Sequence, residues 1–338
     1  MRIRLSFVVV AVLLVLGLTP ASSSAQALGD SQVIAPVPLP GFPEGIATRG
    51  HRFYVSGPAA FGLPLGSAYV QAYDIRTGAL EATYPITITN PLAGQSGASA
   101  MAFGQDGGLY VVEPFIGVIR MDLNPGNTQS VYSAFIPVGP SLLNELAFDG
   151  EGNLFVTDSF AATIYRIPAG GGPPAVWFTD PALAGNPLIP FGVNGIRIDK
   201  NNKHVYVSVT VDAALDGVIY RLPLVPSPTT ADLELFASLG FTGPDGIAFG
   251  KSGKLYVAEA LTSTIKVLDS DGSVDAVYGG PAMNPPGAPV PWANPANIAF
   301  NSKERSLLVT NHASLVPFDP GLFVVFDVFV DDKGSPLP

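Results

Sequence analysis

Six short segments with the same pattern recur along the chain, and each one begins with a polar or small residue. These leading residues are spaced by about 50 positions, and they are Glu44, Ser99, Asn144, Asn194, Asp245 and Ala296. Oxygen-bearing side chains dominate the set, with two carboxylates and two carboxamides. If the fold brings them together, their oxygens suit a hard divalent cation, with Ca²⁺ preferred over Mg²⁺ or Mn²⁺.

Each leading residue introduces a predicted pair of strands. An apolar strand such as residues 247–249 comes first and is followed by a turn rich in Asp, Asn and Gly. Aromatic and β-branched residues then form a second strand, as in residues 255–258. A third strand follows in most copies and a fainter fourth strand in several. Four antiparallel strands at a period of about 50 residues are typical of a β-propeller blade.

The six copies together predict one all-β domain, a six-bladed β-propeller that fills residues 28–338. The last copy has little chain left for a fourth strand, and the apolar residues 33–39 precede the first copy without a partner. We expect this N-terminal strand to join the sixth blade and close the ring, which removes two exposed sheet edges. A pair of β-sandwiches is the competing fold, but it would not explain a regular sixfold spacing.

The first strand of a propeller blade lines the central channel, so we expect the six leading residues to converge at one channel mouth. Without a cation, Glu44 and Asp245 would be like charges facing each other there, which is costly. The alternative is that Asp, Asn and Gly before a strand only make tight turns. Two facts oppose it, because Glu44 is not a turn-forming residue and the polar set keeps one register in four of the six copies.

The second strands are predicted to end at the same mouth as the leading residues. Polar residues at those ends, together with one leading residue, form a candidate substrate rim: Ser99, Glu113, Asp158, Glu259 and Asn311. A solvated loop position is the alternative for each of them. His312 is the only histidine in this ring, and it is a candidate catalytic residue that shuttles a proton or contacts the substrate.

Composition excludes several classes of function. The 338 residues carry a net charge of −10, and no Lys/Arg cluster follows the N-terminus, so we expect no nucleic-acid partner. Because the chain has no cysteine, it has no disulfide, thiolate zinc site, iron–sulfur cluster or cysteine nucleophile. Three histidines make a His-rich zinc site improbable.

The N-terminus has the features of a secretory signal peptide over residues 1–27. Arg2 and Arg4 precede an apolar run over residues 5–18, and Ala25-Gln26-Ala27 provides the small-x-small cleavage pattern. The run is shorter than the roughly 20 residues that span a bilayer, which opposes an uncleaved anchor. We therefore expect a mature start at Leu28, a secreted or periplasmic location, a monomer without a membrane span, and a small-molecule substrate.

The order of Glu44, a skipped blade, and then Asn144, Asn194 and Asp245 resembles the senescence-marker-protein/gluconolactonase (regucalcin-like) family. It is also similar to the related propellers of diisopropyl fluorophosphatase and paraoxonase, and the resemblance covers the whole mature chain. It implies a divalent cation, usually Ca²⁺, held by these four residues, and hydrolysis of a lactone, ester or phosphoester. Asp245 would then act as general base or nucleophile and Glu44 as an anchoring ligand.

The chain departs from the sugar-lactone members of that family. Those members commonly carry an arginine two residues before the third-blade Asn, where this chain has Leu142. Residues 58–67 and 281–292 are apolar and rich in Pro, Gly and Ala, which favours a less polar substrate or a lid. Two other functions stay open: a propeller that holds a cation only for structure and binds a ligand or surface partner, and a lyase or synthase that needs no cation.

Overall fold

The computed structural model describes residues 26–59, 67–88, 97–123, 126–135, 139–280 and 290–336. Within these ranges the chain forms 24 β-strands in six four-stranded antiparallel sheets, which confirms the six-bladed propeller. Short 3₁₀ turns occur at Pro181–Leu183, Thr230–Asp232 and Pro320–Leu322. No helix in the described ranges is long and apolar enough to cross a bilayer. Residues 1–25 of the predicted signal peptide lie outside the described residues.

The first three blades are each built from four consecutive strands, with the first strand innermost. Blade 1 contains β2 (Ile46–Arg49), β3 (Arg52–Gly57), β4 (Tyr69–Asp74) and β5 (Leu80–Pro85). Blade 2 contains β6 (Met101–Phe103), β7 (Leu109–Glu113), β8 (Gly117–Asp122) and β9 (Thr128–Ala134). Blade 3 contains β10 (Leu143–Phe148), β11 (Leu154–Asp158), β12 (Thr163–Ile167) and β13 (Ala175–Thr179).

The remaining blades complete the ring. Blade 4 contains β14 (Val193–Ile198), β15 (His204–Val209), β16 (Gly217–Pro223) and β17 (Glu234–Gly240). Blade 5 contains β18 (Pro244–Phe249), β19 (Leu255–Glu259), β20 (Thr264–Leu268) and β21 (Val274–Gly279). Blade 6 contains β22 (Pro295–Asn301), β23 (Ser306–Asn311), β24 (Val324–Phe329) and β1 (Ser31–Pro36).

The N-terminal strand closes the ring, as the sequence predicts. β1 is the outermost strand of blade 6 and pairs antiparallel with β24, from Ser31 opposite Val328 to Pro36 opposite Val324. The chain therefore joins its two ends within one sheet. Ala35 and Val325 face each other in this pair, and both are completely buried. The closure is thus part of the hydrophobic core rather than a surface contact.

Neighbouring blades pack through a repeated aromatic contact. A tyrosine on the second strand of one blade meets, edge to face, a phenylalanine at the end of the next blade's first strand. The ring centroids are 4.9 to 5.2 Å apart in the pairs Tyr54–Phe103, Tyr110–Phe148, Tyr206–Phe249 and Tyr256–Phe300. This geometry is a favoured one for aromatic rings. This repeated contact explains why a tyrosine recurs in the second strand of these four blades.

A β-bulge interrupts the first strand of four blades. The pairing register shifts between Leu143 and Leu146 in blade 3, and at the corresponding positions of blades 4, 5 and 6. A bulge places two consecutive residues opposite one residue of the partner strand and re-aims their side chains. The leading residues of these four blades, Asn144, Asn194, Asp245 and Ala296, lie in the bulges, so the local distortion re-aims their side chains.

A charge at the closure strand tests the ring. Ala35→Asp would bury an unpaired carboxylate between β1 and the core, and we expect the free energy of unfolding to fall by about 3 to 5 kcal/mol. Urea unfolding followed by circular dichroism measures the change. Leu28→Asp is the matched control, because Leu28 precedes β1 and is exposed, and it should change stability by less than about 0.5 kcal/mol. Equal effects of the two substitutions would contradict closure by β1.

Candidate functional site

The leading residues occupy the same end of the inner strands. Glu44 and Ser99 come two residues before β2 and β6, whereas Asn144, Asn194 and Asp245 lie within the first two residues of β10, β14 and β18. All except Asp245 are buried, and Asp245 is partly buried. The second strands end beside them, and we call this end of the propeller the mouth face.

Hydroxyl groups link the leading residues from blade to blade. The backbone carbonyl of each of five leading residues accepts a hydrogen bond from a serine or threonine of the preceding blade. The pairs are Thr310 to Glu44, Ser56 to Ser99, Ser99 to Asn144, Thr157 to Asn194 and Ser208 to Asp245. Four of these five donors lie next to the last residue of a second strand, and Ser99 is itself a leading residue. These five leading residues are therefore positioned by the preceding blade.

Three of these hydroxyls also accept a hydrogen bond from their own blade. Thr157 accepts from the Glu145 N–H at 3.0 Å and donates to the Asn194 carbonyl at 2.6 Å. Ser208 accepts from the Gly195 N–H at 2.7 Å, and Thr310 accepts from the Asn297 N–H at 2.9 Å. The N–H groups freed by the bulges are satisfied in this way.

The side-chain amide nitrogens of Asn144 and Asn194 each donate a hydrogen bond to a hydroxyl group, which fixes the direction of the two carboxamide oxygens. The Nδ2 atom of Asn144 donates to Ser159 Oγ at 3.1 Å, and that of Asn194 donates to Thr210 Oγ1 at 3.0 Å. Asn194 Oδ1 is buried and accepts no hydrogen bond from the described residues. A buried acceptor without a partner costs free energy, so this oxygen is suited to a ligand that completes it.

Glu44 and Asp245 are brought close enough to interact. Burial raises the pKa of Glu44 well above its usual range, and the charges of Asp245 and Glu145 raise it further. Burial also raises the pKa of Asp245, as does the charge of Glu145, whereas hydrogen bonds from Asn194 and the Gly246 N–H oppose the shift. Both carboxyls thus resist ionisation unless a positive charge lies beside them.

His312 packs against Glu44. Its Nδ1 atom is 3.5 Å from Glu44 Oε2, and its Nε2 atom is 3.2 Å from the carbonyl oxygen of Ala59. Because a carbonyl only accepts, Nε2 carries the proton and Nδ1 presents its lone pair to Glu44. Burial lowers the pKa of His312 to about 4, so the ring is neutral at neutral pH and forms no ion pair with Glu44.

Glu145 closes the channel beneath the leading residues. Its Oε2 atom accepts a hydrogen bond of 2.6 Å from Asn297, which lies on the opposite side of the ring in blade 6. Its Oε1 atom forms an ion pair of 3.1 Å with Arg197 of blade 4. We call these three residues the channel floor. Below it lies a largely apolar cavity of about 420 Å³ whose walls include Phe103, Phe148 and Arg197.

The predicted rim residues are almost fully buried, and their side chains hold nearby chain segments. Oxygens of Glu113, Asp158 and Asn311 accept backbone hydrogen bonds of 2.7 to 3.1 Å from Gly97, Leu142 and Ala293, which precede the inner strand of the same blade. Glu259 binds Thr264 and forms an ion pair of 2.7 Å with Lys266. Burial raises the pKa of Glu113 to about 7. These contacts anchor the mouth loops, and a substrate-contact role for the four residues stays a prediction.

The donor set fits a hard divalent cation. Within the described part of the chain, no three His, Cys, Asp or Glu side chains form a metal-binding cluster. The four candidate ligands instead combine the carboxylates of Glu44 and Asp245 with the carboxamides of Asn144 and Asn194, and Ca²⁺ accepts both donor types. The free Asn194 Oδ1 and the raised pKa values of both carboxyls are the features that a bound cation would satisfy.

Comparison with known families supports the fold-level resemblance. Residues 67–313 match the model of the SMP-30/Gluconolactonase/LRE-like region, which is well over half of the chain. The chain belongs to this family. The matched region includes Asn144, Asn194 and Asp245, while Glu44 precedes it. A comparison with curated proteins found no significant match.

Solved structures of the same overall shape come from several proteins. Regucalcin of Agrobacterium tumefaciens, a calcium-binding protein, superposes with a TM-score of 0.68 at 17% identity, covering 91% of this chain and 96% of that one. A gluconolactonase of Xanthomonas campestris gives a TM-score of 0.61 at 17% identity, over 92% and 91% of the two chains. Virginiamycin B lyase of Staphylococcus aureus gives 0.53 at 12% identity, over 89% and 99%. At these identities the similarity shows the fold alone.

Sequence analysis missed the channel floor and the hydroxyl links. Glu145 directly follows Asn144, and in a regular strand adjacent side chains point to opposite faces. The bulge in β10 removes that alternation, so Glu145 reaches the channel as well. A serine or threonine near the end of a second strand recurs as Ser56, Thr157 and Ser208, and this repetition was the available signal.

The raised pKa values predict a pH-dependent stability in the absence of a divalent cation. Above the unfolded-chain pKa of about 4, the folded protein holds more protons on Glu44 and Asp245 than the unfolded chain does. The free energy of unfolding should therefore fall as the pH rises from about 4 towards 8. Urea unfolding in a chelator measures the slope, and added Ca²⁺ should stabilise more at the upper end. The double variant Glu44→Gln/Asp245→Asn should change the slope by the contribution of these two carboxyls and leave that of Glu113 and His312, whose pKa values are also shifted. An unchanged slope would refute the assignment.

Removing one hydroxyl link should disturb both stability and the site. Thr157→Val keeps the shape but leaves the Glu145 N–H and the Asn194 carbonyl without this partner, for an expected loss of about 2 to 4 kcal/mol. Ca²⁺ affinity measured by calorimetry should fall too, because Asn194 is no longer fixed. Thr128→Val on the exposed edge strand β9 is the matched control. Stability and affinity equal to those of the control would show that the links do not position the ring.

Proposed function

We propose that the protein is an exported, Ca²⁺-dependent hydrolase of a lactone, ester or phosphoester. Membership of the SMP-30/gluconolactonase/LRE-like family supports a lactonase-type activity. The convergence of Glu44 and Asp245 with the unpartnered oxygen of Asn194 carries the proposal. Such a set of buried oxygens is costly for the fold and is explained by binding a cation there.

Glu44, Asn144, Asn194 and Asp245 are the proposed ligands. A bound Ca²⁺ would polarise the carbonyl or phosphoryl oxygen of the substrate. Glu44 contributes charge, and neutral His312 lies beside it with Nδ1 3.5 Å from Glu44 Oε2. Asn144 and Asn194 contribute neutral oxygens whose direction is fixed by Ser159 and Thr210.

Asp245 is the proposed catalytic carboxylate. As general base it takes a proton from water, the water oxygen bonds to the carbonyl carbon, and the bond to the leaving oxygen breaks. The proton held by Asp245 then passes to the leaving alkoxide, so that a lactone gives a hydroxy acid. As a nucleophile, Asp245 would instead bond to the carbonyl carbon while the bond to the leaving oxygen breaks, and water would then hydrolyse this acyl-enzyme and free the carboxylate. Asp245 is the less buried of the two acids, which supports its access to substrate.

Export is part of the proposal. The basic and apolar N-terminal residues and the Ala25-Gln26-Ala27 pattern support cleavage after residue 27. β1 begins at Ser31, so cleavage there would leave the closure strand intact.

Two substitutions separate catalysis from cation binding. Asp245→Asn keeps a side-chain oxygen for Ca²⁺ but loses the base, so kcat on lactones, aryl esters or phosphotriesters should fall by about 100-fold or more. Glu44→Gln should weaken Ca²⁺ affinity, and added Ca²⁺ should restore part of its turnover. Steady-state kinetics and calorimetry measure both effects. Asp271→Asn, in an exposed turn on the opposite face, is the control.

The same experiments can overturn the proposal. Wild-type-like kcat in Asp245→Asn would exclude this residue as base or nucleophile. If the wild-type protein binds Ca²⁺ but hydrolyses none of these substrates, the cation is structural and the propeller is a ligand-binding scaffold. If the wild-type protein binds no divalent cation, the site itself is wrong.

A further inference from the structure

Within the described ranges, the connections at the mouth face contain neither lysine nor arginine. These connections are the segments that join second strands to third strands and those that lead from each outermost strand to the next inner strand. The 17 lysines and arginines lie instead in the strands, on the opposite face, near the C-terminus or in residues 1–27. Lys266, in β20, is buried and paired with Glu259 at 2.7 Å. Apart from the proposed Ca²⁺, an anionic substrate would therefore meet no basic side chain on these connections.

An exposed aromatic pair flanks the carboxamide side of the site. The rings of Phe160 and Phe191 are 5.4 Å apart, and the two residues are 38% and 37% exposed. Phe160 follows Ser159, whose hydroxyl accepts from Asn144, and Phe191 lies three residues before Asn194. A hydrogen bond of 3.0 Å from the Gly192 N–H to the Ser159 carbonyl joins the two segments. The pair is thus fixed to the backbone that carries both carboxamides.

A third exposed aromatic residue lies on the Glu44 side. Phe318 is 60% exposed, and its ring is 6.0 Å from that of Phe42. Phe42 in turn contacts His312 edge-on, with ring centroids 5.9 Å apart, and His312 faces Glu44. Apolar rings therefore stand on both sides of the candidate cation ligands. We call Phe160, Phe191 and Phe318 the apolar flank.

Apolar side chains exposed around a polar pocket are typical of ligand-binding surfaces. We propose that the apolar flank binds the non-reacting part of a neutral substrate, an alkyl or aryl group attached to the ester or lactone. This inference rests on the proposed function. The charge balance favours a neutral substrate. The charges of two carboxylates and one divalent cation cancel, and the described mouth loops contain no lysine or arginine.

A chain-length series tests the inference. With the Ca²⁺-loaded protein, kcat/KM for 4-nitrophenyl esters should rise by up to about fourfold for each added methylene until the flank is covered. The double variant Phe160→Ala/Phe191→Ala should reduce this increment to less than about twofold. An ester with a terminal carboxylate should be hydrolysed at least about tenfold more slowly than its neutral counterpart of equal length. Leu235→Ala, on the exposed outer strand of blade 4, is the matched control.

Binding without turnover separates this inference from the proposed function. Alkyl-substituted γ-lactams resemble lactones but react slowly, and calorimetry gives their affinities directly. Affinity that rises with chain length and loses that rise in the double variant supports the flank, even if no ester is hydrolysed. Hydrolysis without any chain-length dependence, or an unchanged dependence in the double variant, overturns the flank and leaves the hydrolase intact. Absence of both lactam binding and hydrolysis overturns both.

Discussion

The hydrogen bonds from serine and threonine hydroxyls to the leading-residue carbonyls are the constraint on which the site depends. Each hydroxyl belongs to one blade and each carbonyl to the next, so the five links couple neighbouring blades at the channel. Without them, a bulged strand end would have unsatisfied N–H and C=O groups. Residues that lie in the bulges are therefore held in place by the neighbouring blade. The position of Asn194, for example, depends on Thr157 as well as on its own strand.

Electrostatics at the channel are unfavourable for the protein alone. Burial raises the pKa values of Glu44 and Asp245, the charge of Glu145 raises both further, and the charge of Asp245 also raises that of Glu44. Arg197 compensates only Glu145. The two others share no basic partner within the described residues, and neutral His312 does not supply one. The described mouth loops contain no lysine or arginine. A positive charge that compensates Glu44 and Asp245 would therefore have to come from a bound cation.

Repetition made the fold predictable from sequence. Six copies of one strand pattern, together with the unpaired residues before the first copy, indicated both the blade number and the closure by β1. The leading residues could be selected because they share one register. Side-chain direction could not be predicted, since it depends on the bulges: Glu145 is a channel residue only because β10 is distorted. Likewise Glu113 and Asp158 are polar loop-end residues in sequence, yet their backbone partners become visible only in three dimensions.

The channel floor gives the propeller two compartments of opposite character. Because Glu145 is bonded across the ring to Asn297, the polar compartment at the mouth does not continue into the apolar cavity below. For a hydrolase of the proposed kind, the substrate would therefore enter and the products would leave through the same opening. The product would have to dissociate before another substrate molecule could bind. Slow dissociation of an apolar alcohol or acid would then limit turnover even when bond cleavage is fast.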